Sequence, residues 1–305
     1  MEAIDSVKIN FNPEQLFWLN LCLGFLMFGV ALDLKVDNFR YVLKNPQASL
    51  LGLAAQLLLL PLLTLALIWI WQPPPSVALG MILVAACPGG NVSNYAVHLA
   101  GANSALSISL TTVTTLFAAI ITPVSFELFS QWIPGGRGLR EVIALEFGSM
   151  LQIFFTLILL PLALGMSLNR WLPKLTLKLR KPVRWLSMAI FIGFVIVALF
   201  ANGEVISEYL GLVFTLVLVH NALALTTGYT MANLAGLSLP DTRAVAIETG
   251  IQNSGLGLIL IFNFFEGLGG MAMIAAWWGV WHLISAFTVA VWWRSRPAEA
   301  CSAGA

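Results

Sequence analysis

Cys87-Pro-Gly-Gly-Asn-Val-Ser-Asn94 and Glu248-Thr-Gly-Ile-Gln-Asn-Ser-Gly255 interrupt two segments that are otherwise apolar enough to span a bilayer. Each sets helix breakers beside amides, hydroxyls or a carboxylate. Backbone that leaves the helix inside hydrocarbon is tolerated only where protein buries it or it lines a cavity. An acid at that depth, Glu248, costs at least ~2.5 kcal/mol on insertion scales and needs a partner. One such interruption in each half of a chain is the best sequence pointer to a transporter's midplane binding site. The pattern predicts an ion-coupled transporter in which Glu248 is partnered by a cation.

The surroundings of these stretches agree with a bilayer. The chain is 59% hydrophobic and 10% charged, with mean hydropathy +0.89, against roughly 25% charged residues in an average soluble domain. A net charge of +1 supplies no field for nucleic acid, so none is expected as a partner. Cys22 and Cys87 sit in apolar sequence and Cys301 in the tail, with no CxxC spacing, so neither a zinc site nor a disulfide scaffold is indicated. Residues 1–14 carry Glu2, Asp5 and Glu14 without a basic stretch before an apolar core. That is not the pattern of a cleavable signal peptide, and the first span is expected to target the chain. No His-Glu-x-x-His or Gly-x-Ser-x-Gly signature occurs, so an intramembrane enzyme is not expected.

At roughly 20 residues per crossing, the apolar pattern predicts an all-α polytopic membrane protein with nine spans. They cover 15–34, 47–71, 78–100, 104–131, 142–169, 183–201, 208–234, 242–265 and 271–293. Gln72-Pro-Pro-Pro75, Pro134-Gly-Gly136, Leu239-Pro-Asp241 and Gly267-Leu-Gly-Gly270 supply turns between them. No linker separates soluble units, so residues 1–305 are expected to form one membrane domain. An outside amino terminus leaves Lys8, Arg137 and Arg140 outside. It puts Lys35, Arg40, Lys44, Arg170, Lys174, Lys178, Arg180, Lys181, Arg184, Arg243, Arg294 and Arg296 inside, which is 12 of the 15 basic residues. The positive-inside rule favours that topology and a cytoplasmic carboxyl terminus, in a multi-pass cell-membrane protein. Trp171 and Trp185 flank the basic connection at 170–184, and Trp292-Trp293 precede Arg294, as an interfacial belt would have it.

Four spans precede the joint near Pro134-Gly-Gly136 and five follow it. Each half holds a span, an interrupted span and a final long span. Two inverted five-helix repeats, 15–133 and 141–295, with the first helix of the first one lost, give this count; the alternative reading of the asymmetry is that there is no repeat. Polar chemistry gathers at the two breaks. Ser104, Ser107, Thr111 and Thr115 follow i, i+3, i+7, i+11 and form one hydroxyl stripe. Such stripes also glue membrane helices together. Beside an Asn-Val-Ser-Asn break and a buried carboxylate, the oxygen set suits a hard cation, and no His/Cys cluster competes for a transition metal.

Pro88-Gly-Gly-Asn-Val-Ser-Asn94, Ala105-Leu-Ser-Ile-Ser-Leu-Thr-Thr112 and Glu248-Thr-Gly-Ile-Gln-Asn-Ser254 together resemble the bile acid:sodium symporter family over nearly the whole chain. The resemblance implies a ten-helix inverted-repeat fold, here without its first helix as in the vertebrate members. It implies a core (45–131 plus 207–294) in which two discontinuous helices cross at the midplane, and a panel (15–38 plus 141–202). Two sodium ions are implied as coupling ligands. One site falls on Ser93, Asn94, Ser107, Thr111 and Glu248. The other falls on Gln56, Glu248 and Gln252 with the carbonyls of Thr249 and Ile251, Gln56 being located by its spacing to Pro61. The implied substrate pocket falls on Asn91, Asn253, His282 and Leu283.

Two sodium ions against one carboxylate leave a local charge of about +1, and a helix restarting after each break points its free amides and positive dipole end at the midplane. Both favour an organic anion as substrate, bile-acid-like or a small carboxylate, with its acidic group near Asn91 and Asn253. The expected activity is sodium-coupled symport by alternating access; the alternative is proton coupling with Glu248 as carrier. A buried histidine bonded within helix packing is an equally good account of His282, and a structural role is the better account of His98 and His220. Asp33 is an inner-end acid within reach of Lys35, and Glu146 stabilises a helix start. The sequence sets no oligomeric state and is consistent with a monomer.

Overall fold

In a computed structural model the described residues are 3–6, 13–32, 36–134, 155–201 and 203–296, and among them the regular structure is helical throughout. The helices are α1 (Ala3–Ser6), α2 (Pro13–Ala31), α3 (Val36–Lys44), α4 (Pro46–Trp71), α5 (Pro75–Ala86), α6 (Asn91–Leu99) and α7 (Ser104–Ser130). They continue with α8 (Phe155–Trp171), α9 (Pro173–Ala201), α10 (Gly203–Leu234), α11 (Leu239–Gly250), α12 (Ser254–Phe264) and α13 (Gly269–Arg294). Prolines open several of them, as Pro46, Pro75 and Pro240 do in their first turns, where the missing N–H costs nothing. Gln72, at φ 45°, turns the chain out of α4 into the proline run.

Pro46–Trp71, Ser104–Ser130, Tyr209–Leu234 and Gly269–Arg294 are long and apolar enough to cross a membrane, and shorter apolar helices accompany them. Their exposed surfaces are themselves apolar, with Leu58, Leu62, Phe117, Ile120, Val124 and Ile284 turned outward. That is the inside-out pattern of a protein solvated by lipid. The chain is an all-α, multi-pass membrane protein.

Two packing groups are visible. Helices α2, α8 and α9 pack on one another, and α4 to α7 pack with α10 to α13. Close approach is built into the second group, where Gly80 of α5 lies against the Met271 backbone of α13. A reciprocal amide pair joins the groups: Asn20 Nδ2 donates to Asn263 Oδ1 at 3.0 Å, and Asn263 Nδ2 to Asn20 Oδ1 at 2.7 Å.

The spans over 78–100 and 242–265 are each two short helices, α5/α6 and α11/α12, separated by extended residues at the two interruptions. The structure departs from the sequence expectation in three places. The basic stretch at 170–184, expected as a connection, is helical apart from Leu172, because Lys, Leu and Arg are good helix formers wherever the charges need not enter lipid. Its Arg180 Nε donates to the Leu32 carbonyl at 2.9 Å and closes the end of α2. Residues 36–44 form a short helix, α3, tied to α7 by Asn38 Nδ2 to Thr112 Oγ1 at 2.9 Å. Finally, α4 and α8 each contain a π-turn, at Ala55–Leu59 and Phe155–Leu159, just before Pro61 and Pro161. A proline inside a helix supplies no N–H to the carbonyl four residues back, and a wide turn absorbs the misfit. Asp33, Lys35, Lys8, Arg137, Arg140 and Glu146, with residues 142–154 of the fifth expected span, lie outside the described residues.

Candidate functional site

The two breaks touch. After α5 the chain runs extended through Cys87 to Gly90, and after α11 through Ile251 to Asn253. Gly89 and Gln252 form an isolated antiparallel bridge. Gly90 N donates to the Ile251 carbonyl at 3.4 Å, and Asn253 N to the Pro88 carbonyl at 2.8 Å. Unwound backbone in the protein interior thus satisfies itself across the contact. Gly89 has to be a glycine here: a Cβ would lie 2.9 Å from both Gln56 Nε2 and Glu248 Oε2.

Glu248, in the last turn of α11, has no solvent exposure. Its Oε1 accepts from the Ser93 and Ser107 hydroxyls and its Oε2 from Thr111 Oγ1 at 3.0 Å. The same hydroxyls face further oxygens: Ser93 Oγ lies 2.7 Å from the Gly90 carbonyl, and Ser107 Oγ and Thr111 Oγ1 lie 2.8 and 3.3 Å from Asn94 Oδ1. A hydroxyl carries one proton. Three protons therefore face six acceptor contacts, and the surplus of oxygen lone pairs is what a hard cation neutralises. All five residues that the resemblance assigns to the first sodium site are brought together. Of the hydroxyl stripe, the middle pair supplies the bonds to Glu248.

The second set gathers on the other side of the same break. Gln56, in the π-turn of α4, donates from Nε2 to the Glu248 carbonyl at 3.4 Å and to Gln252 Oε1 at 3.3 Å. Gln252 Nε2 donates to the Thr249 carbonyl at 3.0 Å. Gln56 Oε1 is buried with no hydrogen-bond partner. A buried oxygen left without a partner, on the amide that reaches Gln252 Oε1 and the Glu248 carbonyl, fits a bound cation.

The expected pocket residues are less gathered. The Asn91 side chain lies outside what the structure describes. Asn253 caps α12, its Oδ1 accepting from Leu256 N at 3.0 Å, which leaves the Nδ2 donors for another partner. His282 is buried on α13 with Nδ1 unpartnered. Leu283 beside it lies one turn before Phe287, whose ring meets Tyr95 of α6 edge-on at 5.9 Å. His220 contacts Thr64 Oγ1 at 2.7 Å and packs edge-on against Trp278, and His98 is exposed.

Some structural partners had no signal in the sequence. Arg243 near the start of α11 donates to the carbonyls of Trp293 and Arg296 at 3.3 and 2.7 Å, holding the carboxyl end of α13. Asn103 caps α7 through Leu106 N and donates to Asp241 Oδ1 at 2.6 Å, fixing the helix of Ser107 and Thr111 to that of Glu248. The Asn103 cap is local, but neither long-range bond is marked by local pattern, since Asp241, Trp293 and Arg296 lie far along the chain from their donors.

The architecture defines a polytopic membrane protein organised around two interrupted helices that meet at a buried, oxygen-surrounded carboxylate. A sequence profile of the Sodium Bile acid symporter family matches residues 20–209. The chain is 32% identical over 280 residues to Uncharacterized sodium-dependent transporter YocS of Bacillus subtilis (strain 168), covering 92% of this chain and 84% of that protein. It is 28% identical over 298 residues to Probable sodium/metabolite cotransporter BASS2, chloroplastic, of Oryza sativa subsp. japonica, covering 94% of this chain and 67% of that one. Similarity extends to the P3 protein of Homo sapiens, 30% identical over 256 residues, 83% of this chain and 52% of the other. The chain belongs to the sodium bile acid symporter family.

Proposed function

We propose that this protein is a secondary active symporter that carries an organic anion together with two sodium ions by alternating access. The observation that carries the reading is the proton-poor oxygen cluster around Glu248, at the contact of the two breaks. The first ion takes Ser93, Asn94, Ser107, Thr111 and Glu248. The second takes Gln56, Glu248 and Gln252 with the carbonyls of Thr249 and Ile251, and the orphaned Gln56 oxygen supports that assignment. Sodium is cargo here as well as ligand. Bound sodium ties both breaks to one carboxylate, so sodium and substrate affinities rise together, and by linkage each raises the other equally.

The substrate's acidic group sits against the restarting amides of α6 and α12, near Asn91 and Asn253, with His282 and Leu283 as the facing wall. An apolar residue at Leu283 suits an anion with a hydrophobic body. The panel is 15–38 plus 141–202 and the core 45–131 plus 207–294; they move against each other, with nine spans, inverted repeats 15–133 and 141–295, and an outside amino terminus. What supports this division is that α2, α8 and α9 pack on one another while α4 to α7 pack with α10 to α13. The family names in the comparisons are those of transporters, in keeping with a carrier and not an enzyme.

Purified protein in liposomes with an inward sodium gradient tests the reading, with labelled taurocholate, pyruvate and pantoate as probes. The expected result is sodium-dependent, saturable uptake of at least one anion. Two ions per monovalent anion move one net charge, so uptake should rise with an inside-negative potential by about 2.3 kcal/mol per charge per 100 mV. Uptake driven as well by a proton gradient without sodium would replace this reading with proton coupling.

A further inference from the structure

Helix α11 ends inside the protein, where its last carbonyls have no continuing helix to pair with. Each has found a different partner. Ile247 O takes Ile251 N, Glu248 O takes Gln56 Nε2, Thr249 O takes Gln252 Nε2, and Ile251 O takes Gly90 N. The Gly250 carbonyl alone turns the other way, to Asn221 Nδ2 of α10 at 2.7 Å. Asn221 belongs to neither sodium set.

The rest of α10 is shaped to the same task. Asn221, Leu225 and Gly228 follow i, i+4, i+7 on one face. Leu225 covers Gly250, and at Gly228 a Cβ would come within 3.0 Å of Thr249 and of the Ala246 backbone. Beyond Gly250 the chain is extended, with Ile251 at φ −117° and ψ 109°, and successive groups along extended backbone point to opposite sides. Pinning the Gly250 carbonyl toward α10 therefore directs the Ile251 carbonyl to the opposite side, to Gly90 of the first break, and holds the last turn of α11, whose Thr249 carbonyl meets Gln252 Nε2. The amide is held at a cost: Asn221 is 1% exposed and its Oδ1 has no partner. A leucine of similar volume would avoid that penalty, so the donor is what the position needs.

We propose that Asn221 is a positioning residue for the second sodium ion, holding the Gly250 peptide so that the Thr249 and Ile251 carbonyls face the cation. The proposal rests on the sodium reading above. Its test is the sodium dependence of the full-length protein, read as the half-saturating sodium concentration for binding of radioactive sodium and as the sodium-induced rise in melting temperature. Asn221→Leu frees one backbone unit that sodium must then order, and should raise the half-saturating concentration on the order of tenfold. It should shrink the sodium-induced rise in melting temperature while leaving substrate KM at saturating sodium near the wild-type value. Asn221→Gln keeps an amide donor and should recover most of the loss; it carries the comparison if the leucine variant does not fold. A wild-type sodium dependence in Asn221→Leu overturns the proposal. So does a melting temperature lowered equally with and without sodium, which marks a packing role only. Absence of sodium binding by the wild-type protein would instead overturn the sodium reading itself, and the proposal with it.

Discussion

Gly89→Ala adds one methyl group where the two breaks meet, and its neighbour Gly90→Ala is the built-in control. A Cβ on Gly89 would stand 2.9 Å from Gln56 Nε2 and 2.9 Å from Glu248 Oε2, closer than carbon and a polar atom tolerate. A Cβ on Gly90 meets nothing nearer than the Gln252 carbonyl oxygen at 3.5 Å, an ordinary contact. Gly90 lies at φ −92° and ψ 150°, a conformation open to any residue, so backbone strain does not blur the comparison. Overpacking of a filled site costs about 1–3 kcal/mol. In Gly89→Ala the cost is met by pushing aside the Gln56 amide or the Glu248 carboxylate, both proposed sodium ligands. If half of it falls on the ion-bound state, about 1 kcal/mol, the half-saturating sodium concentration rises roughly fivefold. Gly90→Ala should stay near wild type. Both are read from sodium-dependent uptake in liposomes and from sodium-induced thermal stabilisation. A Gly90→Ala defect equal to or greater than that of Gly89→Ala would refute the placement of Gly89 against the site.

Two further outcomes are expected. Asn253→Ala removes the cap of α12 and should lower stability by about 1 kcal/mol, whereas Asn253→Ser keeps a capping oxygen and loses only the amide donors; the serine variant should raise substrate KM at near wild-type melting temperature, and an unchanged KM would remove Asn253 from the pocket. Asn20→Leu and Asn263→Leu each break the amide pair between the packing groups, and a double-mutant cycle on thermal stability should give a coupling of about 0.6–1.7 kcal/mol, the range for hydrogen bonds between membrane helices. Additive effects would mean that the pair bridges nothing of consequence.

The breaks were legible because Pro88, Gly89 and Gly90, and Gly250 with its amide neighbours, cannot hide in a run of Leu, Val and Ala. Ser107 and Thr111 were legible as neighbours on one face by their spacing of four, and the structure turns both to Glu248. Local pattern fails where the partner is remote. Asn221 reads as one polar residue in an apolar helix, and its role appears only when Gly250 is set beside it. The Asn20–Asn263 pair spans most of the chain. Helix α3 gives no span signal because its nine residues fall far short of a membrane crossing. The basic run at 170–184 carries too much charge for a membrane span and so reads as a connection, although outside lipid the same residues favour helix. The π-turns had a cue in Pro61 and Pro161, but a proline alone does not distinguish a kink, a break and a wide turn.

Sodium binding to Glu248→Gln tests the central claim most directly. The substitution keeps the shape of the side chain and an oxygen for the Ser93 and Ser107 hydroxyls, sets an amide N–H donor against Thr111 Oγ1, and removes the charge that both proposed ion sites share. Wild-type protein should bind radioactive sodium saturably and melt at a higher temperature as sodium is raised at constant ionic strength. Glu248→Gln should remain folded, bind no sodium over that range and show no sodium-dependent change in melting temperature. Saturable sodium binding by Glu248→Gln at the wild-type concentration would contradict a carboxylate-centred sodium site.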